Sequence, residues 1–277
     1  MKKGEYTHED QTNFSDMDGT LLNTHGRITA SNAKLIKDAG IPITLVSARA
    51  PMEMQEAIND LNLSGLQVAF NGGLIFKMNN GKMLPLHTEI IPQDSANLLL
   101  EVIYRDFPQV SLSYYDLNHW YCATIDEGIR YEFNLTKCAP TLVNDIERFL
   151  IAPLNTFKIM LITFDEQTMQ NLQNDLLALD LNTITIQRSG KFYLEITNRH
   201  AKKSKGISYI LKKEGLKKEQ TAAFGDGHND LPRLEMVGYP IVMANAFADI
   251  KKVAYKLTKS NQEDGVGYGI HTYLKGS

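Results

Sequence analysis

The sequence predicts an α/β fold: a doubly wound parallel sheet as a core, with an α+β domain inserted into it. Three observations predict it. Short apolar, β-branched runs alternate with helical segments, the pattern of βαβ units. Polar residues able to do chemistry recur just after several of these runs, where ligands collect in open α/β sheets. A middle stretch with paired strands and clustered aromatics then interrupts the pattern before it resumes. At 277 residues the chain has room for two domains, at about 150 residues each.

The elements follow in order. Residues 41–46 are apolar and β-branched and read as a strand. Residues 52–61 read as a helix with Pro51 at its start, where a missing N–H does little harm. Residues 67–70 are a short strand ending in the turn Asn71-Gly72-Gly73, and 74–78 return as a hairpin. In the insert, 93–104 read as a helix, and 110–115 and 119–123 as a strand pair. A strand at 157–164 precedes an amphipathic helix at 165–179, then strands at 183–187 and 192–197. The core pattern resumes with a helix at 203–214, a strand at 221–224, a short helix at 231–237 and a strand at 240–243. The expected domains are a core of 1–83 and 189–277 and a cap of 84–188.

Composition excludes several classes. Hydrophobic residues at 43% and charged residues at 22% are ordinary globular usage, enough for a sizeable core. A net charge of −3, interspersed along the chain, gives no electrostatic case for nucleic acid or an acidic membrane. Cys122 and Cys138 fit no metal motif. They read as free thiols in a reducing compartment, a single bridge being the other option. No run approaches the ~18 apolar residues of a membrane span. Lys2 and Lys3 precede a polar stretch, so no secretory signal is read and a cytoplasmic location is expected.

The chemistry concentrates in Asp16-Met17-Asp18-Gly19-Thr20 and Gly225-Asp226-Gly227-His228-Asn229-Asp230. Two carboxylates one residue apart can divide the work of phosphoryl transfer. One attacks phosphorus, forming an aspartyl-phosphate, while the other moves a proton. Magnesium, a hard cation, suits such carboxylate and phosphate oxygens. No glutamate closes a calcium-type loop after Asp16. Ser47 and Asn71 also follow strands, and Lys205 opens a helix whose start can reach the same rim. A solvated basic face is the other reading of Lys205, with Lys202 and Lys203 beside it.

These motifs, in this order and over nearly the whole chain, resemble the haloacid dehalogenase superfamily, and within it the Cof-type phosphatases. The resemblance implies a Rossmann-like core with an inserted cap. It implies Asp16 as nucleophile and Asp18 as general acid/base. Leu45-Val46-Ser47-Ala48-Arg49 resembles the second motif, with Ser47 bonding the transferring phosphoryl group and Arg49 near the substrate. Lys205-Gly206 resembles the motif that carries the charge-balancing lysine. Asp226 and Asp230 take the metal positions with Asp16 and Asp18, and Asn229 and Asn71 contact substrate. Asn245 and the segment from Ser260 to Val266 also resemble Cof-type sequences.

The implied function is Mg²⁺-dependent hydrolysis of a small phosphorylated metabolite: a sugar phosphate, a nucleotide or flavin mononucleotide, or pyridoxal phosphate. A monomer or weak homodimer is expected, with a cap that opens and closes. The alternatives are a phosphomutase and a non-catalytic phospholigand sensor.

Two places depart from the pattern. The run before Asp16, residues 9–15, is apolar only at Phe14. A central parallel strand is buried on both faces and ordinarily apolar. An irregular or exposed strand, or a non-native start, is therefore expected. Pro232 and Arg233 also stand where a helix begins, and altered capping is expected. The insert's Tyr114, Tyr115, His119, Trp120 and Tyr121 read as core or interface first, and as substrate contacts second.

Overall fold

The computed structural model describes residues 12–79 and 81–275. It divides into two units. The first takes in the described residues up to Ala48, those of Met54–Leu86 and those from Lys202 onward; the second is Arg49–Glu53 and His87–Ala201.

The described residues begin with β1 (Thr12–Ser15), α1 (Ala30–Ala39), β2 (Ile43–Leu45), α2 (Pro51–Asp60), β3 (Leu66–Ala69), β4 (Leu74–Asn79) and β5 (Lys82–Thr88). Helix α1 starts where the Thr29 hydroxyl accepts the Asn32 N–H and stops at Gly40, in the left-handed region at φ 68°. Its buried side is Asn32, Ala33 and Ile36. Strands β3, β4 and β5 form their own three-stranded sheet, and a parallel bridge from Val46 to Val68 extends the line of β2 toward it.

The second unit supplies α3 (Gln93–Asp106), β6 (Ser111–Tyr115), β7 (Trp120–Cys122), α4 (Glu127–Thr136), β8 (Thr141–Leu142), α5 (Ile146–Phe149), β9 (Lys158–Ile162), α6 (Glu166–Ala178), β10 (Ile184–Arg188) and β11 (Tyr193–Asn198). Its sheet runs β10-β11-β9-β6-β7-β8. Alternation along the strands separates two faces. Ile159, Leu161, Leu194 and Ile196 share one apolar cluster with Leu99 and Ile103 of α3 and Leu172 and Leu176 of α6. Lys158, Tyr115 and Glu195 lie on the other face, with Lys158 Nζ 3.5 Å from Glu195 and 4.6 Å above the Tyr115 ring. Tyr193 donates to Glu132 of α4 (2.7 Å), whose carboxyl is pushed up to about 7 by burial and then by the charge of Glu53. Tyr114, Tyr115 and Trp120 are buried in this unit, as core residues. Cys122 and Cys138 are free thiols. Because β11 pairs with both β9 and β10, the return to the first unit falls at Lys202, beyond the 189 boundary expected from sequence.

The chain ends with α7 (Lys203–Glu214), β12 (Thr221–Gly225), α8 (Leu231–Leu234), β13 (Tyr239–Val242), β14 (Lys256–Leu257) and α9 (Gly265–Gly269). The first unit's main sheet is β14-β13-β12-β1-β2, parallel throughout. Phe14, Val46, Val68, Ile207, Ile210, Ala223, Leu234 and Val242, from strands or strand ends and from α7 and α8, form one apolar cluster in this unit. Among the described residues, no helix is long and apolar enough to cross a membrane.

Strand β1 corrects the expectation of an irregular or exposed segment. Thr12–Ser15 is a regular strand, buried at every position and paired between β12 and β2. Residues 9–11 of the polar run lie outside the described residues. The ladder satisfies the backbone: Asn13 N donates to Pro42 O (2.9 Å), Val46 N to Ser15 O (2.8 Å) and Asp16 N to Phe224 O (3.2 Å). The Ser15 hydroxyl donates to Asp16 O (2.8 Å). Within β1 the Asn13 amide pays for its polarity, being fully buried with neither Oδ1 nor Nδ2 hydrogen-bonded. Asn13→Val is therefore expected to stabilise the protein by about 1–3 kcal/mol, the cost of an unsatisfied buried polar group. Chemical denaturation would show the unfolding midpoint rise with its slope unchanged; a lower midpoint would mean that the amide is satisfied in solution.

Candidate active site

Asp16 stands at the carboxyl end of β1, where backbone pairing stops and a side chain can face a ligand. Its Oδ1 accepts the Met17 N–H (2.8 Å). Residues Met17–Leu21 then make one wide turn, closed by Leu22 N donating to Met17 O (2.8 Å). Asp18 is exposed on this turn. Gly19 sits at φ +73°, and a Cβ there would lie 2.4 Å from Asp226 Oδ2. Only glycine admits both the left-handed backbone and the close carboxylate. The Thr20 hydroxyl fixes that carboxylate from the same turn, donating to Asp226 Oδ1 (2.6 Å). Asn245 Nδ2 donates to Gly19 O (2.8 Å), and Asn261 Nδ2 to Leu22 O (2.8 Å). The C-terminal segments singled out in the sequence thus brace the turn that carries Asp18.

The neighbouring strand β12 ends at Gly225 and releases Asp226. Asp230 folds back on that loop, its Oδ2 accepting Asp226 N (3.0 Å) and Gly227 N (3.2 Å). Its Oδ1 faces Lys203 Nζ at 3.2 Å and Arg233 Nη2 at 3.0 Å. Lys203 Nζ also lies 2.9 Å from Asp16 Oδ2, bridging the two carboxylates. Oxygens of Asp16, Asp226 and Asp230 lie within 4.8 Å of one another.

Three buried or half-buried carboxylates thus meet two buried cations. Asp16 is pushed up to about 7, first by burial and then by Asp230, against the pull of Lys203 and Arg233. Asp226 is raised chiefly by burial. Asp230 is held well below the carboxylate range by Arg233 and Lys203, which outweigh its own burial. Asp16 and Asp226 are thus the two carboxylates of the cluster whose ionised form burial disfavours. The donors are all carboxylate oxygens, the set that hard divalent cations such as Mg²⁺ take.

Of the residues singled out by sequence, Asp16, Asp226 and Asp230 converge. Ser47 is fully buried, and its carbonyl accepts the Asn71 N–H (2.9 Å), so the ends of β2 and β3 are joined by backbone. Asn71 takes a left-handed backbone at φ 56°. At Gly72, φ +98°, a Cβ would lie 2.3 Å from Lys202 O, so this turn packs on the start of α7. Asn229 is exposed on the Asp226 loop. Arg49 belongs to the second unit, where its Nη1 is 3.5 Å from Glu53 O.

The lysine that reaches Asp16 is Lys203, two positions before the expected Lys205, which is exposed. Lys203, Gly206, Ile207 and Ile210 are the buried stripe of α7, spaced i, i+3, i+4, i+7. Lys205 lies off that stripe. Sequence reasoning missed Lys203, Thr20 and Arg233. The apolar stripe was the signal for the first and the i, i+3 spacing from Asp230 for Arg233; nothing local announced the bond from Thr20 to Asp226. At Pro232-Arg233 the change is larger than capping: Pro232 occupies the first turn of α8, and Arg233 becomes a fully buried partner of Asp230.

Comparison with known proteins gives a consistent picture. The profile of the haloacid dehalogenase-like hydrolases matches residues 13–270. A Bacillus subtilis protein named 5-amino-6-(5-phospho-D-ribitylamino)uracil phosphatase YwtE is 27% identical, over 94% of this chain and 97% of its own. The crystal structure of a haloacid dehalogenase-like hydrolase from Bacteroides thetaiotaomicron superposes with a TM-score of 0.86 at 25% identity, over 95% of this chain and 98% of its own. A subclass IIB sugar phosphatase, BT4131, shares the fold with a TM-score of 0.78 at 20% identity, over 96% and 99% of the two chains.

Proposed function

Because the chain belongs to the haloacid dehalogenase-like hydrolase family and is a phosphatase of that family, we propose that it hydrolyses small phosphate monoesters through an aspartyl-phosphate on Asp16, with Mg²⁺ as cofactor. The observation that carries this reading is the setting of Asp16. It is a buried carboxylate at a strand end, neutralised on one side by Lys203 and open to a shared cation with Asp226 on the other.

In this reading an Asp16 oxygen attacks phosphorus as the bond to the leaving oxygen breaks. Asp18 gives the leaving oxygen a proton. It then takes one from the water that cleaves the aspartyl-phosphate, and free phosphate departs. Ser47 donates to a phosphoryl oxygen, and Lys203 balances charge on Asp16 and the incoming group. Asn71 and Asn229 orient the substrate. Asp16 and Asp226 would hold Mg²⁺, which when bound supplies positive charge to the transferring phosphoryl group. The uracil-derivative phosphatase and the sugar phosphatase among the similar proteins support a phosphorylated sugar or nucleotide-like metabolite as substrate, and a cytoplasmic setting suits it.

The test is phosphate release from p-nitrophenyl phosphate and a panel of sugar phosphates, nucleotides, flavin mononucleotide and pyridoxal phosphate, with Mg²⁺ and with chelator. Release that needs the metal is expected. Phosphate moved between sugar positions without release would make the protein a mutase, and calorimetric binding without turnover would make it a sensor.

A further inference from the structure

Arg233 stands outside the reaction just described, yet it is fully buried within reach of its carboxylates. Its Nε is 3.1 Å and its Nη2 3.0 Å from Asp230 Oδ1, and Nη2 also donates to Phe224 O (2.5 Å). Lys203 Nζ is the third donor to the same oxygen, at 3.2 Å. The other oxygen, Oδ2, takes the backbone N–H groups of Asp226 and Gly227. A carboxylate accepts at about four lone-pair positions. Those of Asp230 are filled, so a metal ion could reach it only by displacing a donor. Lys203 is shared with Asp16, and the backbone donors shape the loop that presents Asp226. The guanidinium is the donor that serves Asp230 and the strand end alone.

We infer that Arg233 is a positioning residue: a fixed cation that keeps Asp230 turned into the Asp226–Gly227 loop and thereby sets how tightly Asp16 and Asp226 hold a divalent metal ion. The inference deepens the metal-dependent reading above and rests on it. Two effects act in the same direction. The guanidinium occupies Asp230 Oδ1, withholding an oxygen ligand from the ion. Its own positive charge, buried where water screens it little, opposes a second cation nearby. A neutral side chain of similar reach removes both effects, whereas lysine keeps the charge.

The experiment is calorimetric titration of Mg²⁺ into the metal-free, full-length protein, with Arg233→Met and Arg233→Lys beside the wild type. Arg233→Met is expected to bind Mg²⁺ about tenfold more tightly, and Arg233→Lys to stay within about threefold of the wild type. Equal or weaker binding by a cooperatively folded Arg233→Met, with a wild type that binds, overturns this inference alone. Should Arg233→Met fail to fold, crystals of the unmodified protein soaked in Mn²⁺ decide. An ion ligated by Asp16 and Asp226 but not by Asp230 supports the inference, and an Asp230 oxygen bound to the ion overturns it. A wild type that binds no divalent metal in either measurement overturns the magnesium reading, and this inference with it.

Discussion

Asp16→Asn is expected to lower metal-dependent phosphate release by at least about 10⁴-fold while leaving the protein folded. The substitution keeps the shape of the side chain. An amide oxygen can still accept the Met17 N–H, and the turn from Met17 to Leu21 keeps its closure. What it removes is the anionic oxygen that attacks phosphorus, and an amide is a far poorer nucleophile. Stability separates loss of chemistry from loss of fold. Burial and Asp230 already push the Asp16 carboxyl up to about 7, so its ionised form is disfavoured in the metal-free site. The folded carboxyl binds its proton more tightly than the unfolded one. Its ionisation therefore takes stability away as pH rises from the ordinary carboxylate range through about 7. Asp16→Asn has no such ionisation, and its metal-free unfolding midpoint at pH 8 is expected to match or exceed the wild type's. Turnover within tenfold of the wild type would show that a different group attacks phosphorus.

The parts of this site legible in the sequence are those that strand order brings together. The aspartates after β1 and β12 are 210 positions apart in number, yet two parallel neighbours release their loops on the same edge of the sheet. Local pattern was a poorer guide where tertiary structure overrode it. In α4, Ile129, Tyr131, Phe133 and Leu135 alternate with polar residues as a half-buried strand would. The segment is nevertheless a helix, capped by Asp126 and ended by Lys137 in the left-handed region. Of the four, only Ile129 is buried; Gly128, Glu132 and Thr136 complete the buried side. The polar strand β1 misleads in the opposite sense. Its backbone pairs on both sides, and Phe14 alone contributes a large apolar side chain to the core. The Thr20–Asp226 bond has no local signature, because it depends on where a loop turns back, whereas Arg233 stands at the i, i+3 spacing from Asp230 that favours an ion pair at a helix start.

Lys203→Met is expected to cut turnover by at least about 10²–10³-fold, the range seen when one hydrogen-bond donor to a transition state is lost, and Lys205→Met to change it by less than about twofold. Both lysines open the same helix, and only one lies on its buried stripe. Lys203 Nζ contacts Asp16 Oδ2 and Asp230 Oδ1 at 2.9 and 3.2 Å. Its burial disfavours the charged form, but the two carboxylates more than restore it, so its pKa is raised. Methionine preserves the packing of the stem and deletes the charge, leaving Asp16 and Asp230 with Arg233 as the remaining buried cation. Breaking a buried ion pair from one side costs about 3–5 kcal/mol, so the metal-free variant should unfold at lower temperature. Added Mg²⁺ should recover part of that loss, because a cation beside Asp16 takes over some of the neutralisation, while turnover stays low. Kinetics at saturating substrate and thermal unfolding with and without Mg²⁺ separate these effects. An equal loss of turnover in Lys205→Met, with Lys203→Met active, would return the charge-balancing role to the lysine that the sequence motif alone selects.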